Sequence, residues 1–257
     1  MTVANASQML NAAQIGQFRE DGFLVVRGFF NAAEMRDVSS WSDDVVKFPE
    51  VPGRHMVYYE DSLLSPDKRV LSRVENFCPY HPALDDLLRS GRSVGCVSQL
   101  LGEQAILFKD KINFKMPGGD GFKAHQDVQA GWSDFANLHI TLLLSIDAAT
   151  PNNGCLEVAR GQHRSGLLGA MWEPLAEEMK GVEYEVLPTE PGDALFFDSF
   201  IPHRSQPNFS DAARRILYIT YNAASGGDHR SRYYAEKRAN YPPDCERDPN
   251  KQYRFKV

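Results

Sequence analysis

Three side chains in two separated stretches of the chain have the chemistry of an iron site. His125 and Asp127 stand two residues apart in GFKAHQDVQAGW, and His203 follows in DSFIPHRSQPN. Because β-strand residues alternate between two faces, positions i and i+2 would direct an imidazole and a carboxylate into the same space. Two histidines and one carboxylate leave positions open on Fe(II), as in non-haem oxygenases. The same ligands also suit zinc, and His203 could instead be a turn residue beside Pro202.

An arginine downstream of the second histidine predicts an anion site. Arg214 lies eleven residues after His203, at the start of RRILYITY. If the chain forms a hairpin about residues 208 and 209, positions 203 and 214 are opposite each other, with Cβ atoms roughly 5 Å apart. A guanidinium there could bind a dicarboxylate at two points, assisted by the hydroxyl of Ser205. The alternatives are that Arg215 takes this role and that Arg214 forms only a surface ion pair.

The segments that must position these residues are mostly short β-strands. From residue 105 onward, β-rich runs are separated by Gly, Pro, Asn and Asp. These runs are AILFKDKINFK, FKAHQDV, LHITLLLSIDA, GCLEVA, VEYEVL, DALFFDS and RRILYITY. One helix is expected near residues 167–180. The pattern predicts a mainly β fold of the double-sheet barrel or jelly-roll type with flanking helices.

The N-terminal part of the chain is predicted to be mostly helical. Helices are expected over residues 11–22, 31–48 and 83–102, with a strand over 23–29. Asn11 can cap the first helix and Gly22 can end it, and Asn31 with Glu34 matches a capping box. Residues 49–82 contain five prolines and are expected to be irregular, as a lid or a substrate-facing loop.

No linker divides the chain, so we expect one domain over residues 1–257. Residues 1–104 would form the helical support and lid loop, 105–225 the jelly-roll core, and 226–257 a C-terminal extension.

The composition excludes several other functions. The 257 residues carry a net charge of -6, whereas a general nucleic-acid-binding protein would be basic. No apolar stretch approaches the roughly 20 residues of a membrane helix, and no signal peptide is evident at the N-terminus. The four cysteines form no C-x-x-C pair, which disfavours a zinc ribbon. We expect a cytoplasmic protein that binds a small molecule and neither nucleic acid nor membrane; the sequence predicts no oligomeric state.

His125-x-Asp127, His203 and Arg214 together resemble the phytanoyl-CoA dioxygenase family of Fe(II)/2-oxoglutarate oxygenases. GDALFFDSFIPHRSQPN and the opening DGFLVVRGFF are similar to the same family, and the likeness covers nearly the whole chain. The resemblance implies a double-stranded β-helix, the jelly-roll or cupin-like fold. It also implies an enzyme that uses Fe(II), 2-oxoglutarate and O2.

The family's functional residues can be carried over by position. The resemblance assigns iron binding to His125, Asp127 and His203. It assigns 2-oxoglutarate binding to Arg214, with Ser205 and Asn113 assisting. His163 stands in ARGQHRSG, which departs from the family's usual Pro-Gly-Ser-His turn, and is expected to pack within a loop.

Two longer segments resemble one group within the family. LFKDKINFKMPGGDGFKAHQDVQAGW and RYYAEKRANYPPDCERDPNKQYRFKV are similar to enzymes that hydroxylate 2-aminoethylphosphonate or its N-methylated relatives. The resemblance implies hydroxylation at C1 of 2-aminoethylphosphonate or its N-trimethyl analogue, in phosphonate catabolism. Asp127 favours hydroxylation, because halogenating members have a small residue there. The alternatives are the same chemistry on an amino acid, a betaine or a natural-product intermediate, and a non-catalytic binding protein with this fold.

Several polar and aromatic residues are candidates for binding the substrate. They are Gln129, Trp132, Tyr58, Tyr59, Lys111, Arg230 and Arg232. The cations could meet a phosphonate, and the aromatic rings could surround an ammonium group through cation–π contacts. The alternatives are that the aromatic residues pack in the core or in loops and that the arginines are solvated.

Overall fold

The structure is a computed structural model that describes residues 9–176 and 182–253. Its strands are β1 (Phe23–Val26), β2 (Met56–Asp61), β3 (Arg69–Glu75), β4 (Ala105–Lys115), β5 (Phe122–His125), β6 (His139–Ser145), β7 (Leu156–Val158), β8 (Glu185–Leu187), β9 (Ala194–Asp198), β10 (His203–Ser205) and β11 (Arg214–Ala223). Its helices are α1 (Ala12–Asp21), α2 (Ala32–Val46), α3 (Pro82–Arg89), α4 (Gly91–Leu101) and α5 (Arg230–Asn240). No helix among these residues is both long enough and apolar enough to cross a bilayer.

The strands form two antiparallel sheets. The large sheet has the spatial order β1–β9–β6–β11–β4–β3–β2, and the small sheet has the order β5–β10–β7–β8. Each β-rich run named from the sequence after residue 105 contains one of these strands. The prediction of a mainly β, jelly-roll fold with flanking helices is confirmed.

The central strands of the large sheet are buried on both faces because their alternate side chains enter two different cores. Leu143 and Phe197 point toward the small sheet, where they pack with Leu156. Leu142 and Phe196 point the other way, into the core that the helices cover. Residues of both sheets therefore line one interior space, and helices close the outer face of the large sheet.

The first two helices begin as the sequence predicts. The Asn31 side chain accepts hydrogen bonds from the backbone N–H groups of Ala33 and Glu34, and the Glu34 carboxylate accepts one from the Asn31 N–H at 2.8 Å. Helix α1 ends at Gly22, whose φ of 81° places it in the left-handed region. The Asn11 and Asn31 side chains thus satisfy N–H groups that the first turn of each helix leaves without an intrahelical partner.

The expectation that residues 49–82 are irregular was wrong. This segment contains the hairpin β2–β3, which forms one edge of the large sheet. Its prolines lie outside the two strands, and charged residues such as Arg73 and Glu75 interrupt the apolar pattern of β3. Three strands of the N-terminal part thus belong to the large sheet, so that part is less helical than predicted.

Three smaller expectations also need correction. The predicted strand over residues 23–29 ends at Val26, and the predicted helix over 83–102 is two helices that meet at Gly91, whose φ is 65°. The helix predicted near 167–180 is absent from residues 167–176, and the remainder of that prediction falls on residues 177–180, outside the described part. Instead, backbone groups of this segment bond to the turn after β5, including Trp172 N–H to the Gln129 carbonyl at 2.9 Å.

Candidate active site

His125, Asp127 and His203 come together at one end of the small sheet. His125 ends β5, Asp127 opens the turn that follows, and His203 begins β10 directly opposite His125 in the strand register. Strand β5 stops before Asp127, but Gln126 keeps an extended backbone with φ −111° and ψ 134°, so residues 125 and 127 still share a side. One ligand atom from each residue lies within 4.8 Å of the others.

Backbone hydrogen bonds orient both imidazoles. The Nδ1 of His125 lies 2.7 Å from the Lys123 carbonyl oxygen, and the Nδ1 of His203 lies 3.0 Å from the Ile201 carbonyl oxygen. Since a carbonyl oxygen only accepts, each Nδ1 carries the proton and each Nε2 is left with a free lone pair. Both Nε2 atoms lie 3.9 Å from Asp127 Oδ1, as expected for atoms that surround one small ion.

The electrostatics of the site favour the metal-binding forms of these groups. Burial, followed by the nearby His203, lowers the pKa of His125 to about 3, so its imidazole is neutral at physiological pH. Burial raises the pKa of Asp127, but His203, His125 and two lysines outweigh this effect and hold it below its usual range. The neutral imidazole of His125, the imidazole of His203 and the ionised carboxylate of Asp127 are a donor set that fits Fe(II).

The predicted hairpin between β10 and β11 is absent, so that expectation was wrong. Strand β10 pairs with β5 and β7 in the small sheet, whereas β11 pairs with β4 and β6 in the large sheet. The connection between them crosses from one sheet to the other and is held by Asn208, whose side chain bonds to the carbonyls of Lys115 and Ala212. Arg214 therefore faces the interior from the opposite sheet.

The two adjacent arginines point to opposite faces of β11. Arg214 is only 1% exposed, and its Nε and Nη1 have no hydrogen-bond partner among the described residues. A side-chain hydrogen bond joins it to Tyr218, which lines the interior cavity. Arg215 instead pairs with Asp147 and Asp43 at 2.8 and 2.7 Å. Only Arg214 has guanidinium N–H groups left for an anion on the inner side.

Ser205 and Asn113, the two residues expected to assist Arg214, line the interior cavity, and Arg214 is joined to the lining residue Tyr218 by its hydrogen bond. The Ser205 hydroxyl accepts a hydrogen bond from Lys115 Nζ at 2.8 Å. Asn113 is buried, and its Oδ1 has no partner among the described residues. Lys115 also donates to the Gln206 carbonyl at 2.5 Å, so its ammonium is held by groups of the protein.

Comparison with known proteins identifies the family to which this site belongs. Residues 18–216 match the family model described as phytanoyl-CoA dioxygenase. The chain belongs to the phytanoyl-CoA dioxygenase family. This family member is an Fe(II)- and 2-oxoglutarate-dependent dioxygenase, as the sequence predicted.

Two relatives share more than a third of their residues with this dioxygenase. The 2-aminoethylphosphonate dioxygenase of the uncultured bacterium HF130_AEPn_1 is 41% identical over 242 residues, covering 92% of this chain and 91% of that protein. The methylphosphonate hydroxylase of Gimesia maris is 37% identical over 237 residues, covering 90% and 88%.

Solved structures share the fold of this dioxygenase. EctD from S. alaskensis, crystallised with 2-oxoglutarate and 5-hydroxyectoine, superposes with a TM-score of 0.72 at 21% identity. The match covers 87% of this chain and 79% of EctD. EctD from S. alaskensis with bound Fe gives a TM-score of 0.70 at 20% identity, covering 87% and 80%.

Some of the residues predicted to bind the substrate reach the cavity of the dioxygenase. Lys111 and Trp132 line it together with the three candidate iron ligands. The Lys111 ammonium lies 4.7 Å from the centre of the Tyr218 ring, and burial, followed by the charge of Lys109, lowers its pKa to about 7.

The structure does not bring the other substrate candidates to this cavity. The Gln129 amide is fully buried and donates to the carbonyls of Ala170 and Glu173, each at 2.7 Å, so it anchors a loop. Tyr58 donates to the Tyr241 carbonyl at 2.9 Å. The remaining candidates are engaged with protein groups: Tyr59 with Glu50, Arg230 with Asp110 and Asn76, and Arg232 with Glu236.

Sequence reasoning missed several residues that line the cavity. Lys109 and Phe122 are among them, and Tyr218 and Thr220 of β11 form the opposite part of the wall. A signal was present in β4, where polar residues occupy every second position from Lys109 to Lys115 and the opposite face is apolar except for Asp110. This alternation marks the inner face of the strand.

Proposed function

We propose that this dioxygenase hydroxylates a small phosphonate, with C1 of 2-aminoethylphosphonate or of its N-trimethyl analogue as the site of reaction. The observation that carries the proposal is the meeting of His125, Asp127 and His203 in one cavity between the two sheets. Two relatives at 41% and 37% identity named for phosphonate oxidation supply the substrate class.

The three ligand residues would hold Fe(II), and the protein prepares them for it. Carbonyl groups fix the ring orientation of both histidines, and the Thr141 hydroxyl lies 3.4 Å from the second oxygen of Asp127. Such contacts outside the ligand set stiffen a metal site and hold its ligands in place. Bound Fe(II) supplies the O2 activation that oxidises 2-oxoglutarate to succinate and CO2 and hydroxylates the substrate.

Arg214 would bind the distal carboxylate of 2-oxoglutarate. A buried guanidinium with unused N–H groups is costly, and a carboxylate would satisfy both its charge and its hydrogen bonds. Ser205 and Asn113 add a hydroxyl and an amide on the same inner surface. These groups would orient the co-substrate so that its keto acid end faces the iron ligands.

The aromatic rings of the cavity wall, which already contact the ammonium groups of Lys109 and Lys111, would also border a methylated or free ammonium of the substrate. Phe122, Trp132 and Tyr218 place three aromatic rings in the lining. Aromatic faces attract cations, including quaternary ammonium groups.

The iron assignment is tested by anaerobic titration. Fe(II) and 2-oxoglutarate added to the wild-type protein should give a weak visible charge-transfer band. Asp127→Ala should lose this band, because one of three ligands is gone. A variant of an exposed acid far from the cavity, Asp67→Ala, should keep it. No band in wild type, or an unchanged band in Asp127→Ala, would contradict the assignment.

The substrate assignment is tested by succinate release with a panel of phosphonates, betaines and amino acids. 2-Aminoethylphosphonate or its N-trimethyl analogue should stimulate release most strongly, and mass spectrometry should place the new hydroxyl on C1. Stimulation by a betaine or an amino acid with no response to any phosphonate would overturn the substrate while leaving the reaction type intact.

A further inference from the structure

Two lysines of β4 face the cavity and lack any anionic partner in direct contact. Lys109 and Lys111 are alternate residues of the strand and both line the cavity. Within residues 9–176 and 182–253 neither ammonium donates a hydrogen bond or has a carboxylate within 4 Å. Their contacts are aromatic: Lys109 lies 5.3 Å from the Trp132 ring centre, and Lys111 lies 4.7 Å from that of Tyr218.

A buried carboxylate behind the lysines does not neutralise them. Glu75 of β3 is 0% exposed and is the register partner of Lys111. Its Oε1 binds Arg73 Nε at 2.9 Å and its Oε2 binds Lys237 Nζ at 2.5 Å. Four basic residues therefore surround one carboxylate, and Arg73 and Lys237 engage both of its oxygens. No oxygen of Glu75 is left for Lys109 and Lys111 to bind.

The other carboxylate near the lysines is assigned to the metal. Asp127 interacts electrostatically with both Lys109 and Lys111, but its charge would be compensated by Fe(II). Cations enclosed without a counter-ion are unfavourable, and the lowered pKa of Lys111 has the direction that this predicts. An anionic ligand in the cavity would remove the imbalance.

We propose that Lys109 and Lys111 bind the dianionic phosphonate group of the substrate. This inference rests on the proposed function. Two ammonium groups match the two charges of a phosphonate, and lysine binds such groups as a point charge without requiring a planar contact. A carboxylate substrate would compensate only one of them.

This anion site is separate from the one assigned to 2-oxoglutarate. Arg214 is the register partner of Lys115, at the far end of β4. Lys111 and Lys109 are four and six residues away, which is about 14 and 20 Å along a strand. Two anions can therefore occupy the cavity together, one at each end of the inner face of β4.

Calorimetric titration of the anaerobic Fe(II)–2-oxoglutarate protein with methylphosphonate and 2-aminoethylphosphonate tests the proposal. Lys109→Gln and Lys111→Gln should each raise the phosphonate Kd roughly 10- to 100-fold, the effect of losing one charge-assisted contact. The 2-oxoglutarate Kd and the charge-transfer band should not change, which also shows that the variants fold. Lys68→Gln, at an exposed turn, is the matched control and should bind like wild type.

A second measurement needs no variant. Wild type should bind methylphosphonate at least roughly tenfold more tightly than its monomethyl ester, which has one charge fewer. Equal binding of the two compounds, or wild-type Kd values in both lysine variants, would overturn the proposal.

The failures of the two hypotheses are distinguishable. If phosphonates stimulate succinate release but neither lysine substitution changes the phosphonate Kd, the lysine site is rejected and the function is retained. Lysine-dependent phosphonate binding, with no phosphonate stimulating succinate release from 2-oxoglutarate, would reject the function and retain the site.

Discussion

The two imidazoles of the candidate iron site derive their tautomer from short backbone contacts. Each histidine bonds through Nδ1 to the carbonyl of the residue two positions before it, Lys123 for His125 and Ile201 for His203. The sequence contains both histidines and their spacing, but it does not show these carbonyls. The residue types and their spacing predict the candidate iron ligands. The orientation of each imidazole ring depends on the local backbone conformation, which the sequence does not show.

The spacing that predicts Arg214 as the anion-binding residue relies on a hairpin that the structure does not contain. A hairpin would place positions 203 and 214 opposite each other, but β10 and β11 lie in different sheets. The sequence does predict that side chains alternate in direction along β11. This alternation directs Arg214, Ile216, Tyr218 and Thr220 to one side. Long-range pairing between sheets leaves no local mark on the sequence, so it could not be predicted from spacing alone.

Replacing Arg214 by Ala should raise the KM for 2-oxoglutarate roughly 10- to 100-fold, because a bidentate charge-assisted contact is lost. Arg215→Ala is the matched control. It removes the contacts with Asp147 and Asp43 on the outer side and should leave this KM unchanged. Initial rates of succinate formation across 2-oxoglutarate concentrations measure both. A larger effect of Arg215→Ala would move the co-substrate contact to that residue.

At the scale of elements, the turn after β5 and the segment 166–176 support each other. The sequence predicts that Gln129, two residues after Asp127, binds the substrate, and it offers no prediction for Gln126. Both amides instead bind backbone groups of the segment, as when Gln126 Oε1 accepts from the Leu168 N–H at 2.8 Å. The sequence alone does not show whether a polar residue beside a metal ligand binds the substrate or binds backbone groups.

Gln129→Ala should lower the free energy of unfolding by about 1–3 kcal/mol, since the buried carbonyls of Ala170 and Glu173 would lose their donor. Gln129→Glu keeps the shape but replaces the donating nitrogen, so it should be at least as destabilising. Urea denaturation followed by circular dichroism measures the change. Wild-type stability in both variants would show that the two bonds contribute little.

The capping box of α2 gives a prediction that does not involve the active site. Asn31→Ala should destabilise the fold by about 1 kcal/mol, because the N–H groups of Ala33 and Glu34 lose their acceptor. Asn31→Asp retains a side-chain oxygen and should restore most of the stability. Thermal denaturation measures this, and kcat for succinate release should be unchanged. A loss of kcat would show that α2 also affects the site.

At the scale of the whole molecule, charged groups are enclosed between and beside the two sheets. Glu75 with its surrounding cations is one example, and Asp198 at the end of β9 is another. The pattern of β-rich runs and turn residues predicted the two-sheet fold, because both are local signals. It did not predict that β2 and β3 join the sheet, since their buried charges resemble those of an exposed loop.

Asp198 should make stability depend on pH. Burial raises its pKa to about 6, although the Phe200 N–H bond acts in the opposite direction. Since the folded pKa exceeds the unfolded value of about 3.9, the protonated form stabilises the fold at low pH. This contribution is complete below pH ~4 and is lost as the pH rises through about 6.

Asp198→Asn removes that titration. The variant should gain stability over wild type by roughly 2–3 kcal/mol at pH 8 and show little difference near pH 4. Denaturant-induced unfolding of both proteins between pH 4 and pH 8 measures the sign and the size of this stability difference. A gain that is larger at low pH than at high pH would contradict the assignment.

The direct pairing of His125 with His203 across β5 and β10 limits where the enzyme tolerates insertions and deletions. Inserting or deleting one codon within either strand would reverse the faces of the residues beyond it and turn an imidazole out of the cavity. The same event in an exposed connection such as residues 63–68 leaves that pairing in register. Descendants of this enzyme should therefore vary in length between strands and keep these two strands at constant length.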